Sequence, residues 1–186
     1  MTELIPDIIT IKGAPGTGKT LTSKCLAEYY PAGVRLEIDT LRSMVISVEW
    51  ANQEEHIRML DLSADLVLGF HHQGYRPIIV VDTFSGDKLD RYLAVLRGLN
   101  ESFSIRSFAL VTDADELKRR LDNRHPDEFK DFEVSLKLNA TVLERLHPAE
   151  KMIDTTHSSP IETAKGIFRS LQHTSYSSPD IPFNQC

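Results

Sequence analysis

The sequence predicts one α/β domain, in which a mostly parallel sheet is covered by helices on both faces. Its 186 residues match the usual size of a single domain. Five short runs rich in β-branched residues alternate with longer runs that have a helical apolar period. This alternation requires right-handed crossovers between parallel strands, and such sheets bind their ligands at the carboxyl ends of the strands. Functional residues are therefore expected at that edge of the sheet.

The predicted elements alternate from the first strand to the last helix. Each strand is a short run dominated by Val, Ile and other apolar residues, and each helix is a run with apolar residues three or four positions apart. The strands are residues 7–12, 34–38, 78–82, 106–111 and 151–154. The helices are residues 18–30, about 40–48, 55–73, 87–99, 114–124, 134–147 and 161–172.

Local residues indicate where the clearest helices begin and end. The helix at 55–73 has one apolar stripe and is followed by Gly74, a residue type that commonly ends helices. The helix at 114–124 is preceded by Asp113, which stands with Glu116 at the spacing of a capping box. These boundaries separate the helices from the strands on either side.

The domain is predicted to span residues 1–172. The following residues, 173–186, are polar, contain two prolines and have no periodicity, so we predict a flexible tail there. Composition is that of a globular protein, with 41% hydrophobic and 26% charged residues. Cys25 and Cys186 form neither a disulfide framework nor a metal-ligand spacing, which favours a reducing compartment.

Charge and hydropathy narrow the classes of partner. The formal charge of −6 disfavours a large nucleic-acid surface, which would need many Lys and Arg contacts to phosphates. No segment reaches the roughly 18 apolar residues of a membrane span, and the N-terminus lacks a basic leader. We therefore expect a cytoplasmic protein without a membrane partner.

The most specific motif is GAPGTGKT at residues 13–20, which lies between the first strand and the first helix. Its spacing and its strand–helix context are those of a phosphate-binding loop. Backbone amides of such a loop surround the phosphates, Lys19 would reach the outer phosphates, and Thr20 would hold magnesium. A glycine-rich turn with an incidental lysine is the alternative, which the context disfavours. The residues predicted to bind the nucleotide here are Gly13, Ala14, Pro15, Gly16, Thr17, Gly18, Lys19 and Thr20.

The absence of two motifs of nucleotide-hydrolysing proteins favours phosphoryl transfer over nucleotide hydrolysis. The guanine-reading Asn-Lys-x-Asp run of GTPases is missing from the sequence. The third strand ends in Asp82 followed by Thr83, where motor-type ATPases have Asp-Glu. We therefore expect ATP and magnesium in the loop, and transfer of a phosphoryl group to an acceptor.

Asp39 and Arg42 follow the second strand and are predicted to share one face of a short helix at the carboxyl edge. A carboxylate there can take a hydroxyl proton from an acceptor, and an arginine can fix a polar or charged acceptor. Alternatively, Asp39 caps the helix and pairs with Arg42. The local sequence supports both interpretations equally, and the phosphate-binding loop favours the functional one.

Arginines near the fourth strand suggest a mobile lid at about residues 120–135. On the helix at 114–124, Arg120 and Arg124 border the apolar stripe, while Arg119 points to the far side. A polar segment broken by a proline follows, which suits a lid whose arginines close over a triphosphate. The alternative is a solvated helix face with ion pairs.

The end of the third strand supplies a further candidate. Asp82 could orient magnesium through water or contact the acceptor together with Thr83, although an Asp after a strand is often only a turn residue. Trp50 could form a wall of the acceptor pocket, although a single aromatic residue is more often part of the packing.

These motifs together resemble a known family. GAPGTGKT at 13–20, DTLR at 39–42 and RLDNR at 120–124 resemble the small P-loop kinases, which include the kinase domain of phage polynucleotide kinase, chloramphenicol phosphotransferase, gluconate kinase and zeta toxins. The resemblance extends over about residues 7–172 and includes a last strand and helix like theirs.

The resemblance implies a three-layer P-loop sandwich with a five-stranded parallel sheet in the order 2-3-1-4-5 and a helical lid. It also implies Asp39 as the base for the acceptor hydroxyl, Arg42 as an acceptor clamp, and Arg120 and Arg124 as lid arginines. We therefore predict an ATP- and magnesium-dependent kinase, a phosphotransferase that acts on an alcohol group of a small-molecule or nucleotide acceptor.

The predicted roles are distributed over the three motifs. The catalytic candidates are Asp39, Lys19, Arg120 and Arg124. Arg120 also contacts the nucleotide, and magnesium is assigned to Thr20 and Asp82. The acceptor-binding candidates are Asp39, Arg42, Asp82 and Thr83. The alternatives are a polynucleotide 5′-hydroxyl kinase and a nucleotide-binding regulatory ATPase that acts through a partner.

Overall fold

The computed structural model describes residues 5–148 and 150–172, so the predicted tail at 173–186 lies outside the described residues. Five parallel strands form one sheet in the order β2-β3-β1-β4-β5. This confirms the predicted fold class and strand order. The strands are β1 (Ile8–Gly13), β2 (Val34–Glu37), β3 (Ile78–Asp82), β4 (Ile105–Val111) and β5 (Glu150–Asp154).

Seven helices connect or follow the strands within the described residues, and their bounds lie close to the predicted ones. The helices are α1 (Lys19–Ala27), α2 (Ile38–Ser43), α3 (Gln53–His72), α4 (Lys88–Leu99), α5 (Ala114–Asp122), α6 (Phe132–Glu144) and α7 (Pro160–Gln172). The largest difference is at α2, which begins directly at the end of β2 and stops before the turn-rich segment 44–52. No helix in the described part of the chain is both long enough and apolar enough to cross a bilayer.

The sheet has a hydrophobic layer on each face, because side chains alternate between the faces along each strand. On one face Ile8 and Val80 pack against α3 and α4. On the other face Ile9 and Ile79 pack against α1 and α7. The central strand β1 is buried along its whole length, as expected for a parallel strand that is covered on both sides.

This arrangement places the predicted site residues at one edge of the sheet. The phosphate-binding loop leaves the carboxyl end of β1, α2 leaves that of β2, and Asp82 ends β3. Thr155 directly follows β5 at the same edge. Because the strands are parallel, side chains that are distant in sequence come together there.

Candidate active site

The phosphate-binding loop, residues 13–20, is folded into a turn that its own side chains stabilise. The Thr17 hydroxyl donates a hydrogen bond to the Ala14 carbonyl at 2.8 Å, and Lys19 Nζ donates to the same carbonyl at 3.1 Å. Gly18 is the residue before α1 and has no side chain that could cap the helix. The first amides of α1 are therefore available to an anion, at the positive end of the helix dipole.

Two glycines of this loop have left-handed backbone conformations. Gly16 and Gly18 both have φ of +90°. A Cβ atom on Gly16 would also lie 2.7 Å from Leu117 and 3.2 Å from Leu121 of α5, whereas a Cβ atom on Gly18 would have no contact shorter than 3.8 Å. The loop thus needs glycine at both positions for its backbone, and at Gly16 also for its contact with α5.

The two positions make a matched pair for a stability measurement. Gly18→Ala should lower the free energy of unfolding by about 1–2 kcal/mol, the cost of a left-handed backbone for a residue with a Cβ atom. Gly16→Ala should cost about 1–3 kcal/mol more, because Leu117 and Leu121 are buried and have little room to move. Urea unfolding measures both values, and equal losses would contradict the close packing of the loop on α5.

Lys19 is surrounded by charged side chains. Loss of solvent around its ammonium group lowers the pKa of Lys19 to about 8. The negative charges of Asp82, Asp39 and Glu37 oppose this shift, and the positive charge of Arg124 adds to it. The fold therefore brings three carboxylates, from β2, α2 and β3, to the one lysine that the motif assigns to the outer phosphates. A partly buried cation beside an anion-binding loop is suited to a polyphosphate group.

Thr20 is paired with a carboxylate that the sequence analysis missed. Its Oγ1 donates to Glu37 Oε1 at 2.6 Å, and Arg35 donates to Glu37 Oε2 at 2.8 Å. Partial burial disfavours the charge of Glu37, but these hydrogen bonds from Thr20 and Arg35 outweigh it and lower the pKa of Glu37. Its position two residues before Asp39, at the end of β2, could have indicated it.

The site fits magnesium bound together with phosphate groups. Since the Thr20 proton points to Glu37, the oxygen lone pairs of Thr20 remain free for a cation. Among the described residues, no three His, Cys, Asp or Glu side chains form a complete metal site. Magnesium typically takes one or two protein ligands and completes its shell with water and substrate phosphates, which agrees with this donor set.

Asp39 lies in the first turn of α2 and is exposed to solvent. Within residues 5–148 and 150–172 its carboxylate accepts no hydrogen bond. Partial desolvation by the surrounding side chains and then the negative charge of Asp82 raise its pKa, against the opposing charges of Lys19 and Arg42. It is a carboxylate with free lone pairs and a raised affinity for a proton.

Unlike Asp39, Asp82 has a protein hydrogen-bond partner on each of its carboxylate oxygens, and the residue is only 4% exposed. Oδ1 lies 3.0 Å from His56 Nε2, and Oδ2 accepts a hydrogen bond of 2.6 Å from the Phe84 amide. Thr20, predicted to hold magnesium together with Asp82, is hydrogen-bonded to Glu37 and not to Asp82. Thr83, next in the chain, is half-buried.

Arg42 is buried, in contrast to Asp39 on the same short helix, and it is only 4% exposed. Its NH2 atom donates to the carbonyls of Glu49 and Trp50 at 3.1 Å each and lies 3.6 Å from Glu55. The guanidinium also lies 4.9 Å from the centre of the Trp50 ring. Arg42 thus fastens the segment 44–52, on which Trp50 is partly exposed.

The two predicted lid arginines lie in different places. Arg120 donates to the Thr155 carbonyl at 2.6 Å and to its hydroxyl at 3.0 Å, and reaches the Gly16 carbonyl at 3.5 Å. Arg124 follows the end of α5, where it donates to the Phe129 carbonyl at 2.8 Å. The positive charge of Arg124 nevertheless lowers the pKa of Lys19.

A cavity of about 470 Å³ lies beside the phosphate-binding loop. It is lined by the loop, by α5 and by residues 155–160, which connect β5 to α7. Arg120 and Glu116 lie on one side, and the two residues are joined by an ion pair of 2.7 Å. The cavity is continuous with the phosphate-binding loop through Thr17 and Gly18, so it is placed to hold the rest of a nucleotide.

The chain is similar to proteins with this architecture. The family model described as an AAA domain matches residues 8–149. A sugar kinase from Janibacter sp. HTCC2649 is 18% identical over 88% of this chain and 93% of its own, with a TM-score of 0.66. The tunicamycin resistance protein of Deinococcus radiodurans is 22% identical over 89% and 95%, with a TM-score of 0.67. A gluconokinase from Sinorhizobium meliloti 1021 is 16% identical over 91% and 95%, with a TM-score of 0.61.

No curated protein matches the sequence. At identities this low the structural likeness establishes the fold and not the substrate. The family match covers residues 8–149, which include the phosphate-binding loop, Asp39, Asp82 and both lid arginines. The chain belongs to the AAA domain family, and its fold is that of the P-loop kinases.

Proposed function

We propose that the protein is an ATP- and magnesium-dependent kinase that transfers the γ-phosphoryl group to a hydroxyl of a small-molecule or nucleotide acceptor. The observation that carries this proposal is the unpaired, exposed carboxylate of Asp39, near enough to the partly buried ammonium of Lys19 for their charges to interact. A hydrolase would not need a second carboxylate with a raised pKa on the acceptor side of its phosphate-binding loop. A hydroxyl acceptor does need a base at that position.

The nucleotide would lie with its phosphates on the loop amides and its remaining part in the cavity lined by residues 155–160. Lys19 contributes the charge that faces the outer phosphates. Arg120, which links the loop to Thr155, closes the cavity beside the triphosphate. Arg124 is near enough for its charge to act on Lys19, so a small movement of the lid segment could bring it to the transferred group.

Magnesium, when bound with ATP, neutralises phosphate charge and helps to align the transferred group. Thr20 would supply a hydroxyl ligand, with Glu37 holding its proton away from the metal. Asp82 would face the metal or its water molecules. In this arrangement the carboxylates of Glu37 and Asp82 and the hydroxyl of Thr20 would surround the metal and the phosphates.

The acceptor would enter on the side of Asp39. Its hydroxyl oxygen attacks the γ-phosphorus, the bond from that phosphorus to the bridging oxygen breaks, and ADP leaves. The hydroxyl proton passes to a carboxylate oxygen of Asp39. Most of the rate would come from positioning and from charge stabilisation by Lys19 and the arginines.

Arg42 would act on the acceptor through the segment 44–52, which it fastens, together with Thr83 at the end of β3. Arg42→Lys should lower the free energy of unfolding by about 1–3 kcal/mol, because lysine cannot keep both carbonyl bonds and the Trp50 contact. It should also increase hydrogen exchange at 44–52, measured by mass spectrometry.

Arg91→Lys is the matched control for that substitution. Arg91 is half-exposed and pairs with Asp61 at 2.7 Å on the surface, so its replacement should change stability by less than about 0.5 kcal/mol. If exchange at 44–52 is the same in Arg42→Lys and in the wild type, Arg42 does not fasten the segment.

A transfer assay with labelled ATP tests the proposed function. The acceptors should be pooled sugars, other small alcohols, antibiotics, nucleosides and 5′-hydroxyl oligonucleotides, each offered with magnesium. Label transfer to one pool supports the proposal and gives the acceptor class; transfer only to the oligonucleotides would identify a polynucleotide 5′-hydroxyl kinase. ATP turnover that is equal with and without every pool would contradict the proposal and favour a regulatory ATPase.

A further inference from the structure

A buried chain of hydrogen bonds connects Asp82 to helices α3 and α4. Lys88 Nζ lies 2.7 Å from Gln53 Oε1 and 2.9 Å from His56 Nδ1. His56 Nε2 lies 3.0 Å from Asp82 Oδ1. His56, Lys88 and Asp82 are 6%, 8% and 4% exposed, respectively. No motif in the sequence indicates His56 or Lys88, and neither has a role in the transfer step described above.

The direction of each hydrogen bond in this chain follows from Lys88. An ammonium group has three donors and no acceptor, so His56 Nδ1 must accept from it. The imidazole proton is then on Nε2, where it is donated to Asp82. If both ring nitrogens carried protons, His56 would be a cation whose Nδ1–H group faced the Lys88 ammonium at 2.9 Å, and neither group could accept a hydrogen bond from the other. The chain of donors therefore runs in one direction, from Lys88 through His56 to Asp82.

The other oxygen of Asp82 is held by a strained part of the backbone. Phe84 has φ of +45°, a left-handed conformation that is rare for a bulky residue and costs about 1–2 kcal/mol. Its fully buried ring, 5.4 Å from that of Tyr92, keeps it in place. At this position the Phe84 amide donates a hydrogen bond of 2.6 Å to Asp82 Oδ2. Strain of this kind is concentrated at functional sites.

Asp82 is thus held from two sides by fixed donors. Each carboxylate oxygen uses one lone pair on a protein hydrogen bond and keeps the other. The negative charge of Asp82 also raises the pKa values of Lys19 and Asp39. Asp82 therefore lies on the side of the site where the triphosphate is proposed to bind. A carboxylate that must meet a metal or its water molecules gains from such support, because these partners set its direction.

We propose that His56 and Lys88 are positioning residues, which fix Asp82 in the orientation that receives magnesium bound to the nucleotide. This rests on the proposed function only in assigning a magnesium–nucleotide complex to the site. A direct pair between Lys88 and Asp82 would balance the same charges. The inserted imidazole instead gives Asp82 Oδ1 a single, directed donor.

Stability alone cannot test this role, because removing one member of a buried hydrogen-bonded network destabilises the fold whether or not the network also orients Asp82. The measurement is the magnesium concentration that gives half of the thermal stabilisation by a non-hydrolysable ATP analogue. His56→Leu should raise this concentration about 10- to 100-fold, the usual effect of losing an outer partner of a metal ligand. Lys88→Met should raise it less, because the imidazole remains.

His56→Gln is the conservative variant. The oxygen, carbon and nitrogen of its amide group repeat the acceptor–carbon–donor arrangement of the imidazole, so it can accept from Lys88 and donate to Asp82. It should recover most of the magnesium dependence that His56→Leu loses. Because glutamine does not titrate in the accessible pH range, recovery would also show that the role needs a directed donor and no proton transfer.

His71 offers a matched control at the opposite edge of the sheet. Its Nε2 lies 3.1 Å from Asp7 Oδ1, the same type of contact as that of His56 with Asp82. His71→Leu should therefore affect stability without changing the magnesium dependence. If His56→Leu and His71→Leu both leave the magnesium dependence at the wild-type value, the proposal is wrong.

The wild-type protein gives a further test that needs no variant. Nitrogen-15 NMR of the histidine rings should show His56 as the Nε2–H tautomer, and a Nδ1–H tautomer would overturn the proposal. These measurements also separate this inference from the proposed function. A regulatory ATPase that transfers nothing to an acceptor would still show the magnesium shift, whereas a kinase in which His56 is merely structural would show transfer without it.

Discussion

Asp39→Asn should reduce phosphoryl transfer by about 10²–10⁴-fold while ATP binding stays close to that of the wild type. The loss is the usual contribution of a general base that takes a proton in the transition state. Asparagine has nearly the shape of aspartate but cannot accept that proton. ATP binding should be retained because Asp39 makes no hydrogen bond to the phosphate-binding loop or to the cavity beside it. Steady-state transfer with the acceptor found in the screen, together with calorimetric ATP binding, measures both quantities.

The pH dependence of transfer gives an independent check on Asp39. Partial desolvation and the charge of Asp82 raise its pKa, and the base must be ionised to act. Transfer should therefore fall as the pH is lowered through this raised pKa, at a higher pH than for an ordinary aspartate. Asp39→Glu is the control, since it keeps a carboxylate and should retain part of the activity. Equal transfer by Asp39→Asn and the wild type at every pH would exclude the role.

Lys19→Met should weaken ATP binding and transfer together, by about 10²–10³-fold in kcat/KM. It removes the charge-assisted contacts to the outer phosphates, and single donors of this kind are worth that much in a site shielded from water. The unliganded protein should become more stable at pH 7, because burial disfavours the charge of Lys19, as its pKa of about 8 indicates. Lys24→Met on the same helix is the control, since Lys24 is exposed and should change neither property.

The same lysine predicts how ATP affinity varies with pH. Below about pH 8 the side chain is charged before ATP arrives, and above it the protein must take up a proton when ATP binds. Affinity should therefore fall as the pH rises above about 8, and calorimetry in buffers of different ionisation enthalpy should show the proton uptake. A wild-type affinity that is independent of pH between 7 and 10, or a slope that persists in Lys19→Met, would contradict this assignment.

The elements of the fold were largely readable in the sequence, because local properties determine them. A strand such as IIVVD at 78–82 needs only a short run of β-branched residues, and the helix after the phosphate-binding loop begins where the motif requires. Strand order is a different kind of information. It came from the resemblance to the small P-loop kinases, since each strand alone is compatible with several neighbours.

The same division applies to the candidate site. Lys19, Asp39 and Asp82 could be proposed because each stands at the carboxyl end of a predicted strand or in a motif, and parallel strands bring those ends together. Their partners could not be proposed in this way. Glu37, His56 and Lys88 carry no motif, and each is defined by a contact with a residue 17 to 32 positions away.

Arg42 shows most clearly what the tertiary structure decided. Its spacing from Asp39 predicts a shared face of one short helix, yet Asp39 is exposed and Arg42 is buried against Glu49 and Trp50. By itself, the sequence determined the strands, the helices and the phosphate-binding loop, because backbone conformation and hydrophobic period depend on residues close in the chain. Only the folded chain decided which side chains are free and which are fixed, because hydrogen-bond partners and burial depend on residues that packing brings together.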